Sequence, residues 1–284
     1  MKWKERAQSS NVVDRRGMPA AAGMGIGATL LVLAIGYFTG VDVSPLLNSG
    51  STSSSAPAPG EAGGGVNTMD DEQEAFVATI LRDTEDVWSA EFRRQLKQDY
   101  QAPSLVLFTD RVQSGCGTAD SSIGPFYCPL DQQVYLDTVF YTQLDQQLGA
   151  PGDFAQAYVI AHEIGHHIQQ ITGVSDEVRS LQEGARSEAE RNEYSVRLEL
   201  QADYLAGAWA HHAQKNWQFL EPGDVEEALN AASAIGDDRL QKQSTGTVQP
   251  DTFTHGTSAQ RAKWFRQGFQ SGQIDMENTF RGGI

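Results

Sequence analysis

The sequence predicts an α+β fold, predominantly helical with a small sheet and preceded by one transmembrane helix. Three observations predict it. Apolar residues recur at three- and four-residue spacing through much of the chain, the mark of helices with one buried face. Two short stretches, 104–109 and 131–137, carry instead the pattern of strands, with Val134 and Leu136 of the second on one face. Residues 18–41 hold no charged side chain, over a length that crosses a bilayer.

Size and charge narrow the function. A chain of 284 residues is enough for one substantial domain or two small ones. A formal net charge of -16 argues against nucleic acid, since neutralising phosphates takes clustered Lys and Arg. There are no long internal repeats and no glycine-rich phosphate loop.

Residues 1–17 are polar and basic, with Lys2, Lys4, Arg6, Arg15 and Arg16 against Glu5 and Asp14, and read as a cytoplasmic tail. Residues 18–41 then read as the transmembrane helix, with Tyr37 and Phe38 at an interface. Basic residues before the span and Asp42 after it place the N-terminus in the cytoplasm and the rest outside it, in the periplasm. A cleaved signal peptide is the competing reading, but the apolar run is long and no small-x-small site closes it. Arg15-Arg16 raises the twin-arginine signal, which Asp14 and Gly17-Met18-Pro19 do not suit. A buried helix of a soluble domain is the third reading. Residues 42–69, rich in Ser, Gly and Pro, cannot bury a core and read as a flexible linker, so the globular domain is expected over 70–284.

Within that domain, Phe76, Ile80, Leu81, Val87, Trp88, Phe92 and Leu96 predict one long or two shorter helices, ended by Pro103. The strand at 104–109 follows. Cys116 and Cys128 then lie in a Gly/Pro-rich loop, which suits a disulfide in an oxidising compartment. Two free buried thiols, or part of a second metal site, are the alternatives, although no C-x-x-C spacing supports the metal. Two strands ahead of the next helix suggest a small mixed sheet, whose edge would either pair with an extended peptide or only pack.

That next helix organises the chain. Pro151-Gly152 breaks the backbone, Asp153 and Gln156 read as a capping box, and Gly173 supplies the stop, giving a helix over 154–172. It carries His162-Glu163-Ile164-Gly165-His166, an H-E-x-x-H pattern. Residues four apart share a helical face, so His162 and His166 can offer two imidazoles to one Zn²⁺. Glu163 sits about 100° around the helix, where its carboxylate reaches a water at the metal without being a ligand. A chance match of letters is the plain alternative, and a cappable, half-buried helix weighs against it.

A short helix over 175–183 and a long one over 188–214 follow. In the long helix Glu199 and Asp203 share a face flanked by Ala202, Ala206 and Gly207, small residues that let another helix approach. Glu199 is the expected third zinc ligand, and Asp203 the acceptor for the N–H of a ligating histidine. Alternatively both are acids on a solvated face, as Glu188, Glu190 and Glu193 are read to be. His167 points off the metal face, and His211 and His212 suit a helix end. Trp209, Trp217, Trp264 and Phe265 read as core. A helix over 226–235 precedes a polar loop running to 249, and a last helix reaches 270 with Ser258 as its cap.

These motifs carry a resemblance. H-E-x-x-H followed by E-x-x-x-D resembles the gluzincin metallopeptidases. The start Met1-Lys-Trp, the segment Ser10-Asn-Val-Val-Asp-Arg-Arg-Gly17, the loop Gly124-Pro-Phe-Tyr-Cys-Pro129, His162 to Gln169 and Glu199-Leu-Gln-Ala-Asp203 together resemble the membrane-anchored bacterial neutral zinc metallopeptidases. The resemblance implies a zincin-like metallopeptidase domain on one membrane span, with Zn²⁺ as cofactor. It implies an endopeptidase of envelope or extracytoplasmic proteins, with a protein or peptide substrate and Glu163 as general base. Thr254 to Arg261 resembles the His-Pro-x-x-x-x-Arg-like segment of related membrane metallopeptidases, although Gly256 stands where those often have Pro. That implies a catalytic role for His255 at the oxyanion and for Arg261 in orienting it or the substrate; a surface histidine beside a helix cap is the alternative. From other classes, a catalytically silent zinc-stabilised scaffold and a zinc amidase acting on cell wall remain open.

Overall fold

In the computed structural model, residues 1–17 and 72–284 are described; the expected span at 18–41 and linker at 42–69 lie outside them. Among the described residues no helix is long and apolar enough to cross a membrane. The elements run β1 (Val12–Asp14), α1 (Glu72–Glu91) with a π-helical turn (Phe92–Leu96), β2 (Ser104–Phe108), β3 (Arg111–Ser114), β4 (Gly117–Asp120), β5 (Phe126–Cys128) and β6 (Gln133–Asp137). Then come α2 (Val139–Gln146), α3 (Asp153–Ile171), α4 (Val174–Glu183), α5 (Glu188–Trp217), α6 (Asp224–Ala234), α7 (Asp237–Ser244), a 3-10 turn (Pro250–Thr252) and α8 (Ser258–Ser271). The fold is α+β and predominantly helical, as the periodicity predicts.

The sheet is small and mixed, in the order β1-β2-β6-β5. β1, β2 and β6 are parallel, while β5 runs antiparallel to β6 and forms the edge nearest α3. Val106, Phe108 and Tyr135 on one face and Leu105, Leu107, Val134 and Leu136 on the other are all buried, so both faces are covered. β3 and β4 make a separate hairpin. Cys116 and Cys128 are bridged, tying the start of β4 to the end of β5. The strands β3, β4 and β5, at three or four residues each, lie in a stretch read from sequence as loop.

α3 runs through the centre. Phe154, Tyr158, Ala161, Ile164 and Ile168 are buried on it, against α1 and the sheet on one side and α5 and α6 on the other. α5 crosses α3 closely: a Cβ on Gly165 would stand 3.0 Å from the Ala202 backbone. α8 lies still closer to α5, where a side chain on Gly207 would meet the Phe265 carbonyl and one on Gly268 the Tyr204 carbonyl. Small residues thus bring three helices together at the level of Glu199 and Asp203.

Several local expectations change. Asp153 caps nothing: α3 starts after Gly152, and Glu227 of α6 accepts the Phe154 N–H instead, at 3.1 Å. Asp153 lies 2.7 Å from the Met1 ammonium. The polar run before 249 contains α7. The last helix is capped by a Thr257–Gln260 capping box rather than by Ser258. Most consequentially, Met1–Gly17 is not a separate tail. It contributes β1 to the sheet and buries Met1, Ser9 and Arg16 against the domain.

Candidate active site

The two histidines four apart on α3 face the same way, and the crossing of α5 at Gly165 delivers Glu199 to them. Glu199 Oε2 is 3.2 Å from His162 Nε2, and Oε1 is 3.4 Å from His166 Nε2. Ligand atoms about 2.0–2.2 Å from a tetrahedral Zn²⁺ stand about 3.3–3.5 Å apart. One ligand atom from each of His162, His166 and Glu199 lies within 4.8 Å of the others, which fits a single ion. The field also suits a cation. Burial lowers the His162 pKa, but Asp203 and Glu199 outweigh it and raise it to about 9. Burial would raise Glu199, yet His166 and His162 hold it well below the usual carboxylate range.

Each imidazole is oriented through its other nitrogen. A carboxylate only accepts, so His162 Nδ1 donates to Asp203 Oδ1 at 2.9 Å, leaving Nε2 free to ligate. His166 Nδ1 donates to Gln169 Oε1 at 2.9 Å. The amide orientation of Gln169 is set by its Nε2, which donates to the Leu198 carbonyl at 2.7 Å. Gln169 was not singled out in the sequence; its three-residue offset from His166 on the same helix was the available signal.

Asp203, fully buried, is the hub behind the site. Arg261 holds it bidentately, Nε to Oδ2 at 2.8 Å and Nη2 to Oδ1 at 3.0 Å, and the Tyr158 hydroxyl donates to it as well. Arg261 is 1 % exposed. It backs the metal site and also lines the cleft, and its guanidinium bonds to Asp203 and Tyr158 rather than to His255, the neighbour the sequence suggested. The reason is packing: α8 is drawn onto α5 at Gly207 and Gly268, which carries Arg261 to the depth of Asp203.

His255 does face the cleft, with its side chain 45 % exposed. Its Nδ1 lies 3.1 Å from Asp237 Oδ1. Asp237 Oδ2 accepts the backbone N–H groups of Thr254, His255 and Gly256 at 2.8, 2.6 and 3.0 Å. Gly256 makes that turn at φ +90°, a conformation that L side chains resist. Asp237 thus fixes both the turn and the ring. Sequence reasoning missed it because it lies eighteen residues away, in a run read as loop. Burial lowers the His255 pKa, but the hydrogen bond to Asp237 and the charges of Glu199 and Asp237 raise it overall.

Glu163 is 8 % exposed and lines the cleft with the metal-site residues. The cleft holds about 730 Å³. Its far wall is the disulfide-closed loop, with Ile123, Pro125, Phe126 and Tyr127, and its near wall includes Val178 and Leu240. His167 stays off the metal face as expected: its Nδ1 meets the Tyr127 hydroxyl at 3.1 Å and its Nε2 the Gln101 carbonyl at 2.6 Å. This ties β5 to α3 directly behind His166.

Replacing Glu199 tests the three-ligand arrangement directly. Glu199→Ala is expected to lose ~10-fold or more in zinc affinity, read by competition with a chelator, while far-UV circular dichroism stays unchanged. An unchanged affinity in the variant would place the third ligand elsewhere.

Comparison with known proteins places the chain in a family. The family model described as "Putative neutral zinc metallopeptidase" matches residues 1–280. The uncharacterized protein YpfJ of Escherichia coli (strain K12) is 48% identical over 292 residues, covering 99% of each chain. The uncharacterized protein Rv2575 of Mycobacterium tuberculosis (strain ATCC 25618 / H37Rv) is 45% identical over 197 residues, 66% of this chain and 65% of its own. No solved structure matches the chain.

Proposed function

We propose, from the premise that the chain belongs to the neutral zinc metallopeptidase family, that it is a zinc-dependent endopeptidase acting on extended protein segments. The observation that carries this reading is the convergence of His162, His166 and Glu199 within 4.8 Å at the floor of an open cleft, with Glu163 beside them. A purely structural zinc site is closed by four protein ligands and needs no neighbouring base.

His162, His166 and Glu199 would hold Zn²⁺, which would supply Lewis-acid chemistry for the scissile carbonyl and the attacking water. Glu163 takes the water's proton and passes it to the leaving amine. Asp203 and Gln169 keep the ligating nitrogens aimed, and Arg261 with Tyr158 keeps Asp203 in place. His255 donates through Nε2 to the oxygen on which negative charge develops. With Nδ1 bonded to Asp237, Nε2 carries a proton only in the imidazolium form. Activity should therefore fall as pH rises through the His255 pKa, which lies above the ordinary value of about 6.5. Asp237→Asn is expected to move this alkaline limb of kcat/KM towards lower pH, and His255→Gln to remove it. An unmoved limb in both variants would exclude His255 from the reaction.

The edge strand β5 beside α3 supports binding of an extended backbone, and the apolar cleft walls support apolar side chains. The Cys116–Cys128 bridge supports a domain outside the cytoplasm, with residues 18–41 as its membrane contact. The decisive test digests a peptide library with the zinc-loaded full chain, beside purified cell wall. Cleaved peptides, lost on chelation and restored by zinc, are expected. Wall cleavage alone would make the enzyme an amidase, and neither would make it a scaffold.

A further inference from the structure

Residues 1–17 touch the domain through many independent contacts. β1 pairs in parallel with β2, Val12 opposite Leu105 and Asp14 opposite Leu107, and the Arg15 N–H continues the ladder to the Leu107 carbonyl at 2.8 Å. The Ser9 N–H reaches Ala78 of α1 at 2.9 Å, and the Lys2 N–H reaches Phe219 beyond α5 at 2.8 Å. Trp3 packs edge-on against Phe76, ring centroids 5.3 Å apart. Arg6 pairs with Asp83 at 2.6 Å while its guanidinium lies 4.2 Å over Trp217. Arg16, 4 % exposed, bridges Asp14 at 2.9 Å and Glu74 at 3.1 Å.

The domain depends on these residues in return. Asp83 is 3 % exposed, and burial pushes its pKa up to about 7 even with Arg6 opposing. Without Arg6 that carboxylate would be buried and uncompensated. Without β1, the outer edge of β2 would be bare, a ready template for wrong pairing.

A single crossing by residues 18–41 would set residue 17 and residue 72 on opposite sides of a hydrocarbon layer about 30 Å thick. Arg16 and Glu74 are instead 3.1 Å apart. We propose that residues 1–17 and residues 72–284 lie on the same side of any membrane the chain meets, because the N-terminal strand, the buried Arg16 and the paired Arg6 are built into the domain. A single membrane crossing between residue 17 and residue 72 is thereby excluded. The orientation read from the basic residues, N-terminus in and domain out, is replaced. Three of those basic residues, Lys4, Arg6 and Arg16, pair with Glu72, Asp83 and Glu74 of the domain.

The test uses the full chain expressed in cells. Lys4→Cys and Asp99→Cys place single thiols at side chains 70% and 85% exposed, while Cys116 and Cys128 are bridged and silent. Each variant is treated with a membrane-impermeant maleimide before and after permeabilisation. Equal labelling of both positions in intact cells is expected. Equal protection of both until permeabilisation would also support the shared side, and would instead remove the extracytoplasmic placement. Labelling of one position in intact cells and of the other only after permeabilisation would overturn the proposal. Amide exchange on the purified full chain is the second measurement: Ser9 and Arg15 should be protected, and exchange at the rate of an unstructured peptide would equally overturn it.

Discussion

Glu163→Gln should retain a full equivalent of zinc and an unchanged KM while kcat falls by about 10²–10⁴-fold. The substitution keeps size and hydrogen-bonding atoms, and Glu163 is a cleft residue rather than one of the three converging ligands. What it removes is the ability to take a proton, an interaction used only on the way to the transition state. Turnover on a peptide found in the library digest, with zinc measured on the same sample, checks it. Normal cleavage would take Glu163 out of the chemistry. A parallel loss of zinc would show the damage to be structural.

Arg261→Met should be the most destabilising single change near the site. It leaves the Asp203 carboxylate, fully buried, without the bidentate partner that balances it. Breaking a buried pair from one side costs about 3–5 kcal/mol, or on the order of 10 °C in Tm for a domain of this size. Zinc affinity should fall with it, because the acceptor that aims His162 loses its own support. Adding Asp203→Asn should recover part of the stability, since no unpaired charge then remains, but not the zinc affinity. An Arg261→Met variant with unchanged Tm and zinc but reduced kcat would restore the role at the substrate that the sequence suggested.

These two residues show where the sequence was legible. Glu163 sits within a five-residue pattern whose geometry is set by one helix, and spacing alone places it. Arg261 lies in the segment that the sequence points to, but its hydrogen-bond partner is Asp203. Nothing in the letters from Thr254 to Arg261 says that α8 will sink onto α5 until its glycines touch backbone. Glu199 and Asp203 were legible because a pair of acids four apart among Ala and Gly makes poor sense on a solvated face. Asp237 and Gln169 were not, since a polar residue that bonds to a turn or to a neighbouring histidine has no periodic signature. The strands β3, β4 and β5 escaped for a similar reason: three or four residues are too few to show alternation.

The N-terminal segment is the sharpest contrast. Basic residues ahead of an uncharged run read as a cytoplasmic tail by a rule that counts charges near a membrane. The rule does not see that Arg6 and Arg16 have carboxylate partners after residue 71, the buried Asp83 and the half-buried Glu74.

By itself, then, the sequence determined the features written in short-range spacing: the metal-bearing helix, the two imidazoles with their base, the pair of acids on a second helix, and a mainly helical α+β chain. Tertiary structure alone decided what meets across helices and strands. It set Glu199 against the imidazoles, Arg261 behind Asp203, Asp237 under His255, and the first seventeen residues on the body of the domain. The physical reason is that helical and strand periods record which face of an element is buried. Which face it is buried against follows only from how closely the backbones can approach, and here three glycines at two crossings, Gly165 at one and Gly207 with Gly268 at the other, made that choice.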